Sequence, residues 1–181
     1  MPADRTDGPC VASLLWMSFD VETCGANASA WALGHTGSTA YATRCLAFVE
    51  DAIERSNKLE IFGGDDAAES SQLYGASVNT GAPPAHALVF YKSIGELFGD
   101  RRDWGHVGLT LGNHRVVHAW DRVRVDDYRE LEALQPAPGW EPLRWVGWVP
   151  LVRVLEGAQP RVWDEDAAAA AIRMQAERFG G

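Results

Sequence analysis

One stretch constrains this chain more than any other. It reads Gly105-His106-Val107-Gly108-Leu109-Thr110-Leu111, then Gly112-Asn113-His114, then Arg115-Val116-Val117-His118-Ala119-Trp120. Two runs of alternating apolar residues around Gly-Asn predict a β-hairpin. With a three-residue loop of Gly112, Asn113 and His114, Leu111 faces Arg115, Leu109 faces Val117 and Val107 faces Ala119. That face is apolar and suits a core. The opposite face then carries His106, Gly108 and Thr110 beside Val116, His118 and Trp120. His118 lies opposite Gly108, and His106 is its diagonal neighbour, roughly 7–8 Å away between Cα atoms. A two-residue loop would send the histidines to opposite faces. Two histidines on one sheet face are compatible with structural hydrogen bonding, metal ligation or acid–base chemistry. No H-E-x-x-H occurs, which disfavours zinc.

The rest of the chain supplies a frame for that hairpin. A helix is expected from about Ala40 to Ser56, with Leu46, Val49 and Ile53 at helical spacing. Asp66 followed by Glu69 forms a capping-box pattern and opens a second helix through Tyr74. The carboxylates there lack the alternation of a calcium loop, so a cap is the better reading. Strands are expected at Ala87 to Tyr91, His106 to Leu111, Arg115 to Trp120 and Trp145 to Val154. Gly157 to Arg161 reads as a linker, and Asp164 to Arg178 as an Ala-rich helix with Ile172 and Phe179 on one stripe. Helices first and an antiparallel sheet after them predict an α+β fold.

A chain of 181 residues, 46% of them hydrophobic and eight of them Trp, suffices for one well-packed domain. The formal net charge of -9 argues against nucleic acid or an anionic membrane as partner. Residues 1 to about 30 read as a leader. Its apolar run, Val11 to Phe19, is too short to span a bilayer and lacks a basic flank. A cytoplasmic location is therefore expected, with export by dedicated machinery as the alternative.

Three cysteines, Cys10, Cys24 and Cys45, cannot all pair, and no C-x-x-C is present. Cys45 stands out because it opens the apolar part of its helix. The macrodipole and free N–H groups of a helix N-terminus favour a thiolate. A buried, inert thiol is the competing reading.

Taken together, Cys-x-x-Phe-Val on a helix, then Ala-Leu-Val-Phe-Tyr, His-Val-Gly-Leu-Thr-Leu-Gly-Asn and Val-Val-His-Ala resemble the NlpC-type cysteine peptidases. The resemblance covers about residues 31 to 155 and leaves 156–181 as a linker and helix. It implies a papain-like architecture, with helices carrying the cysteine packed on an antiparallel sheet carrying the histidines. It implies Cys45 as nucleophile, His106 as base and His118 as the group that orients it. No cofactor or metal is implied, and the partner is a peptide or other amide substrate, such as a cell-wall peptide. Attack by Cys45 gives a thioester that water clears. The Cys45 N–H is an expected oxyanion donor, Tyr41 a candidate second donor, and Trp120 a candidate cleft wall. The family usually carries Asp-Cys-Ser-Gly-Phe, where this chain has Arg44-Cys45-Leu46-Ala47-Phe48. Arg44, if it faces the cleft, would favour an anionic or uncharged substrate. Acyl transfer to an amine and a non-catalytic effector or binding module are the alternative readings.

Overall fold

The computed structural model describes residues 19–164 and 166–179. Cys10 and most of the apolar run from Val11 lie outside the described residues. The fold is α+β. Its centre is a five-stranded antiparallel sheet in the order β7-β6-β5-β2-β8. These strands are β2 (Leu88–Lys92), β5 (His106–Gly112), β6 (Arg115–Ala119), β7 (Val123–Asp127) and β8 (Arg144–Val149). A separate hairpin joins β3 (Ile94–Leu97) to β4 (Asp100–Asp103).

Two helices cover one sheet face. Residues 21–30, expected to belong to a leader, are part of the domain: α1 (Val21–Gly34) packs Cys24, Ala28 and Ala32 into the main core. Its partner α2 (Cys45–Asn57) buries Phe48, Val49, Ala52 and Ile53 completely. Burying a Phe or Ile side chain is worth about 1.5–3 kcal/mol, so this stripe fixes α2 on the sheet. The helix expected from Ala40 starts at Cys45 instead. Residues 40–43 form turns, with Thr43 at positive φ, and Arg44 occupies the N-cap. The core beneath α2 is made by Leu88, Phe90, Val107, Leu109, Val117 and Ala119. These include the apolar face expected of the hairpin.

The hairpin register agrees with expectation where it matters and differs at the turn. Gly108 faces His118 and Leu109 faces Val117. Arg115, however, pairs with Gly112 rather than Leu111, and the ladder is irregular between Thr110 and Gly112. The loop proper is Asn113-His114, both at positive φ (50° and 64°), as a type I′ turn requires. A β-bulge at Leu111 takes up the extra residue, so both histidines still share a face.

Several segments depart from expectation. The strand expected from Trp145 to Val154 ends at Val149, and after Pro150 comes a single helical turn, α4 (Leu151–Val154). The supposed linker contains β9 (Gln159–Pro160), which pairs with β1 (Leu59–Glu60). The α3 helix (Ala67–Tyr74) is capped by Asp66 Oδ1, which accepts from Glu69 N–H at 2.9 Å. The Glu69 carboxylate reaches back to Asp65 N–H rather than to the cap residue itself. The last helix, α5, is Ala167–Phe179, with Ile172 exposed and Phe179 packed, so the two do not share a buried stripe.

Candidate active site

His106 begins β5, and the turn before it is tightly held. Gly105 sits at φ +70°, and a Cβ there would come within 2.3 Å of the Ala68 backbone nitrogen. Ala68 N–H donates to Trp104 C=O at 3.2 Å, so the start of α3 clamps this turn. On β5, Gly108 leaves room for His118: a Cβ there would lie 2.5 Å from Val116 Cγ2 and 3.1 Å from His118 Cβ.

The two histidines meet as the diagonal relation predicts. His106 Nε2 lies 2.8 Å from His118 Nδ1, and both side chains are buried. The line continues to a residue absent from the sequence reading. His118 Nε2 is 2.9 Å from Asp126 Oδ2 on β7. Arg124 holds that carboxylate through Nε at 2.5 Å and Nη2 at 2.9 Å. On the sheet, His118 faces Arg124 and Val116 faces Asp126, so Asp126 is another diagonal neighbour. The signal for it was the alternation Val123-Arg124-Val125-Asp126, a strand pattern that places Asp126 two residues from Arg124 on one face.

These contacts settle proton positions for a neutral histidine pair. The His118 hydrogen bond, with Arg124 behind it, holds the Asp126 carboxyl well below the usual carboxylate range. An ionised carboxylate only accepts, so His118 Nε2 carries the proton and donates. His118 Nδ1 is then an acceptor, and His106 Nε2 donates to it. His106 Nδ1 is left as the basic nitrogen, and among the described residues it has no hydrogen-bond partner.

Cys45 is the first residue of α2 and lines the same cavity as His106. Backbone N–H groups of Val107, Leu46 and Cys45 itself favour its thiolate. Burial outweighs them. The residue is half-buried, and its thiol is pushed up to about 11. Burial, then repulsion from His118, pushes the His106 imidazolium well below its usual range. The expectation of a thiolate stabilised by the helix N-terminus is therefore corrected. At rest the thiol and the imidazole that line this cavity are both neutral.

The cavity measures about 490 Å³. Trp120 lines it, as expected, with its ring edge-on to His106 at 5.3 Å between centroids. Trp104 and Phe98 form another part of the wall. Tyr41 does not join the site: it is buried, and its hydroxyl donates to Asp51 Oδ2 at 2.8 Å. Arg44 lines the cavity but folds back, donating from Nη1 to the carbonyls of Ala40 and Ala42, both at 3.2 Å. Its Nε is buried without a hydrogen-bond partner among the described residues. Among the described residues, no three His, Cys, Asp or Glu side chains are grouped to hold a metal ion. No described helix is long and apolar enough to cross a membrane. No family model matches the chain, and neither does any curated protein or solved structure.

Proposed function

We propose that this protein is a papain-like cysteine hydrolase of NlpC type that cleaves a peptide or other amide bond through a thioester. The observation that carries the reading is the line His106–His118–Asp126, which opens onto a cavity shared with a cysteine at a helix N-terminus. A histidine pair kept for structure alone would not need to leave a basic nitrogen free on a residue that lines such a cavity.

In this mechanism His106 Nδ1 takes the Cys45 proton as sulfur attacks the carbonyl carbon. The first N–H groups of α2 receive the developing oxyanion. The His106 imidazolium then protonates the leaving amine, and the acyl group remains on Cys45. A water molecule, deprotonated by the same nitrogen, attacks the thioester and restores the thiol. His118 keeps the ring orientation and tautomer through both steps. The neutral resting pair suits this course, since charge appears only as the carbonyl is attacked. The mostly apolar cavity also suits transfer of the acyl group to an amine in place of water.

The test is mass spectrometry of cell-wall stem peptides and intracellular peptides after incubation with wild type and Cys45→Ala. Cleavage by wild type alone supports hydrolysis, and amide exchange with an added amine supports transfer. Identical products from both proteins, or intact peptides throughout, oppose a cysteine-dependent reaction.

A further inference from the structure

Helix α5 forms part of the wall of the catalytic cavity. Gln175, Arg178 and Phe179 line it together with Cys45 and His106. The first half of the helix is anchored, with Ala170 and Ala171 buried. Its last turn makes contacts of another kind. Phe179 stacks on Phe98, with ring centroids 5.3 Å apart and planes 7° from parallel. It also meets the Trp104 ring edge-on at 5.4 Å. Arg178 donates from Nη1 to the Asp65 carbonyl at 2.9 Å, and its Nε lies 3.3 Å from Asp65 Oδ1. Gln175 reaches the Thr43 carbonyl at 3.5 Å, just before the cysteine helix.

A cation and an aromatic ring, side by side, are thus seated in the cavity that holds the nucleophile. We propose that the last turn of α5 is a strap that fills a substrate subsite, and that this subsite takes a cationic group carried beside an aromatic or apolar one. The inference rests on the hydrolase reading of the cavity. Charge supports it. Asp65 lines this cavity with Arg178 as its ion-pair partner, whereas Arg44 is turned back onto carbonyls. When Arg178 withdraws, Asp65 loses its neighbouring cation. The Phe98–Trp104 wall loses its ring partner at the same moment. A substrate bearing an ammonium or guanidinium next to an apolar side chain restores both contacts. This preference stands in place of the anionic or uncharged one expected if Arg44 faced the cleft.

The test needs no turnover, so it can fail while the hydrolase reading stands. Two methanethiosulfonate reagents, one with a trimethylammonium and one with a sulfonate, are reacted with the full chain. Attack by the Cys45 sulfur forms a mixed disulfide and releases methanesulfinate. The rate at Cys45 is read by peptide mass spectrometry, relative to a free thiol in solution. In wild type both reagents are expected to react slowly. In Arg178→Ala/Phe179→Ala the cationic reagent should accelerate, and its advantage over the anionic one should grow by about fivefold, the value of one close charge contact in water. Adding Asp65→Asn should cut that advantage while leaving access open. Unchanged rates in the double variant overturn the strap. An equal gain for both reagents, or a gain for the sulfonate, overturns the cationic subsite. If Arg178→Ala/Phe179→Ala proves unstable, Arg178→Gln alone should raise the cationic advantage in the same direction, and no change there also overturns the proposal.

Discussion

At the scale of single residues, the site depends on what each side chain can donate and accept. His118 must accept from His106 on Nδ1 and donate to Asp126 on Nε2. Asn or Gln offers one acceptor and one donor, so His118→Asn and His118→Gln are expected to retain measurable turnover, whereas His118→Ala should not. His106→Ala removes the base and should lower the rate by about 10²–10⁴-fold. Asp126→Asn should also be costly, because an amide can present its N–H₂ to His118 and reverse both tautomers. The readouts are single-turnover thioester formation and its pH profile. A change in profile with unaltered melting temperature marks Asp126 as a positioning residue, and an unaltered profile would show that it only stabilises the sheet. Tyr41 is a useful contrast. A helix continued back from Cys45 would place it one turn away, yet the segment before Cys45 is a turn, and Tyr41 points to Asp51.

At the scale of elements, the decisive event is the clamp between α3 and the start of β5. Gly105 combines a left-handed backbone with close approach to Ala67 and Ala68. Gly105→Ala should therefore displace α3 or His106, and is expected to destabilise the fold by about 2–4 kcal/mol. Gly139 provides the control: it too has positive φ (83°), but a Cβ there meets nothing within 4 Å. Gly139→Ala should cost only backbone strain, about 1–2 kcal/mol. Urea unfolding of both variants checks the difference, and equal losses would show that the clamp carries no tertiary load. The hairpin illustrates how local pattern and local detail separate. Period-two alternation was strong enough to place His118 opposite Gly108, while the bulge at Leu111 depends on turn geometry that the same letters leave open.

At the scale of the whole molecule, burial of acids on α2 couples stability to pH. Burial, then repulsion from Glu54, pushes Glu50 up to about 8. Burial also pushes Glu54 up to about 7. Between pH 4.5 and these values the folded chain holds protons that the unfolded chain has released. Stability from these groups is thus fully present at lower pH and is lost as pH rises toward 8. Asp126 has the opposite sign: its depressed carboxyl favours the fold fully above the ordinary carboxylate range and loses that contribution as pH falls below it. Glu50→Gln is expected to flatten the decline between pH 5 and 8. It should raise stability at pH 8 by on the order of 1–2 kcal/mol, a few degrees in Tm, and change little at pH 5. Thermal melts at the two pH values decide this, and an equal shift at both would mean that Glu50 is not the titrating group.

The sequence by itself determined the parts governed by near neighbours. Alternation around Gly-Asn placed His106 and His118 on one face, helical spacing placed Val49 and Ile53 in the core, and Asp66 with Glu69 marked the start of α3. Each depends on chain geometry within a few residues, where side-chain direction follows from backbone period. Tertiary structure alone decided the rest. Asp126 joins the histidines because β7 lies beside β6, and the turn between them does not announce which carboxylate will face inward. The thiol is pushed up rather than down because desolvation sums over every element that encloses it, and this outweighs the helix N-terminus. Tyr41, Arg44 and the last turn of α5 took their positions from contacts spanning ten, four and more than a hundred residues. The placements of Tyr41 and of α5 depend on which distant surfaces exclude water together, a quantity that no local pattern in the chain encodes, whereas Arg44 is held by the local turn before α2.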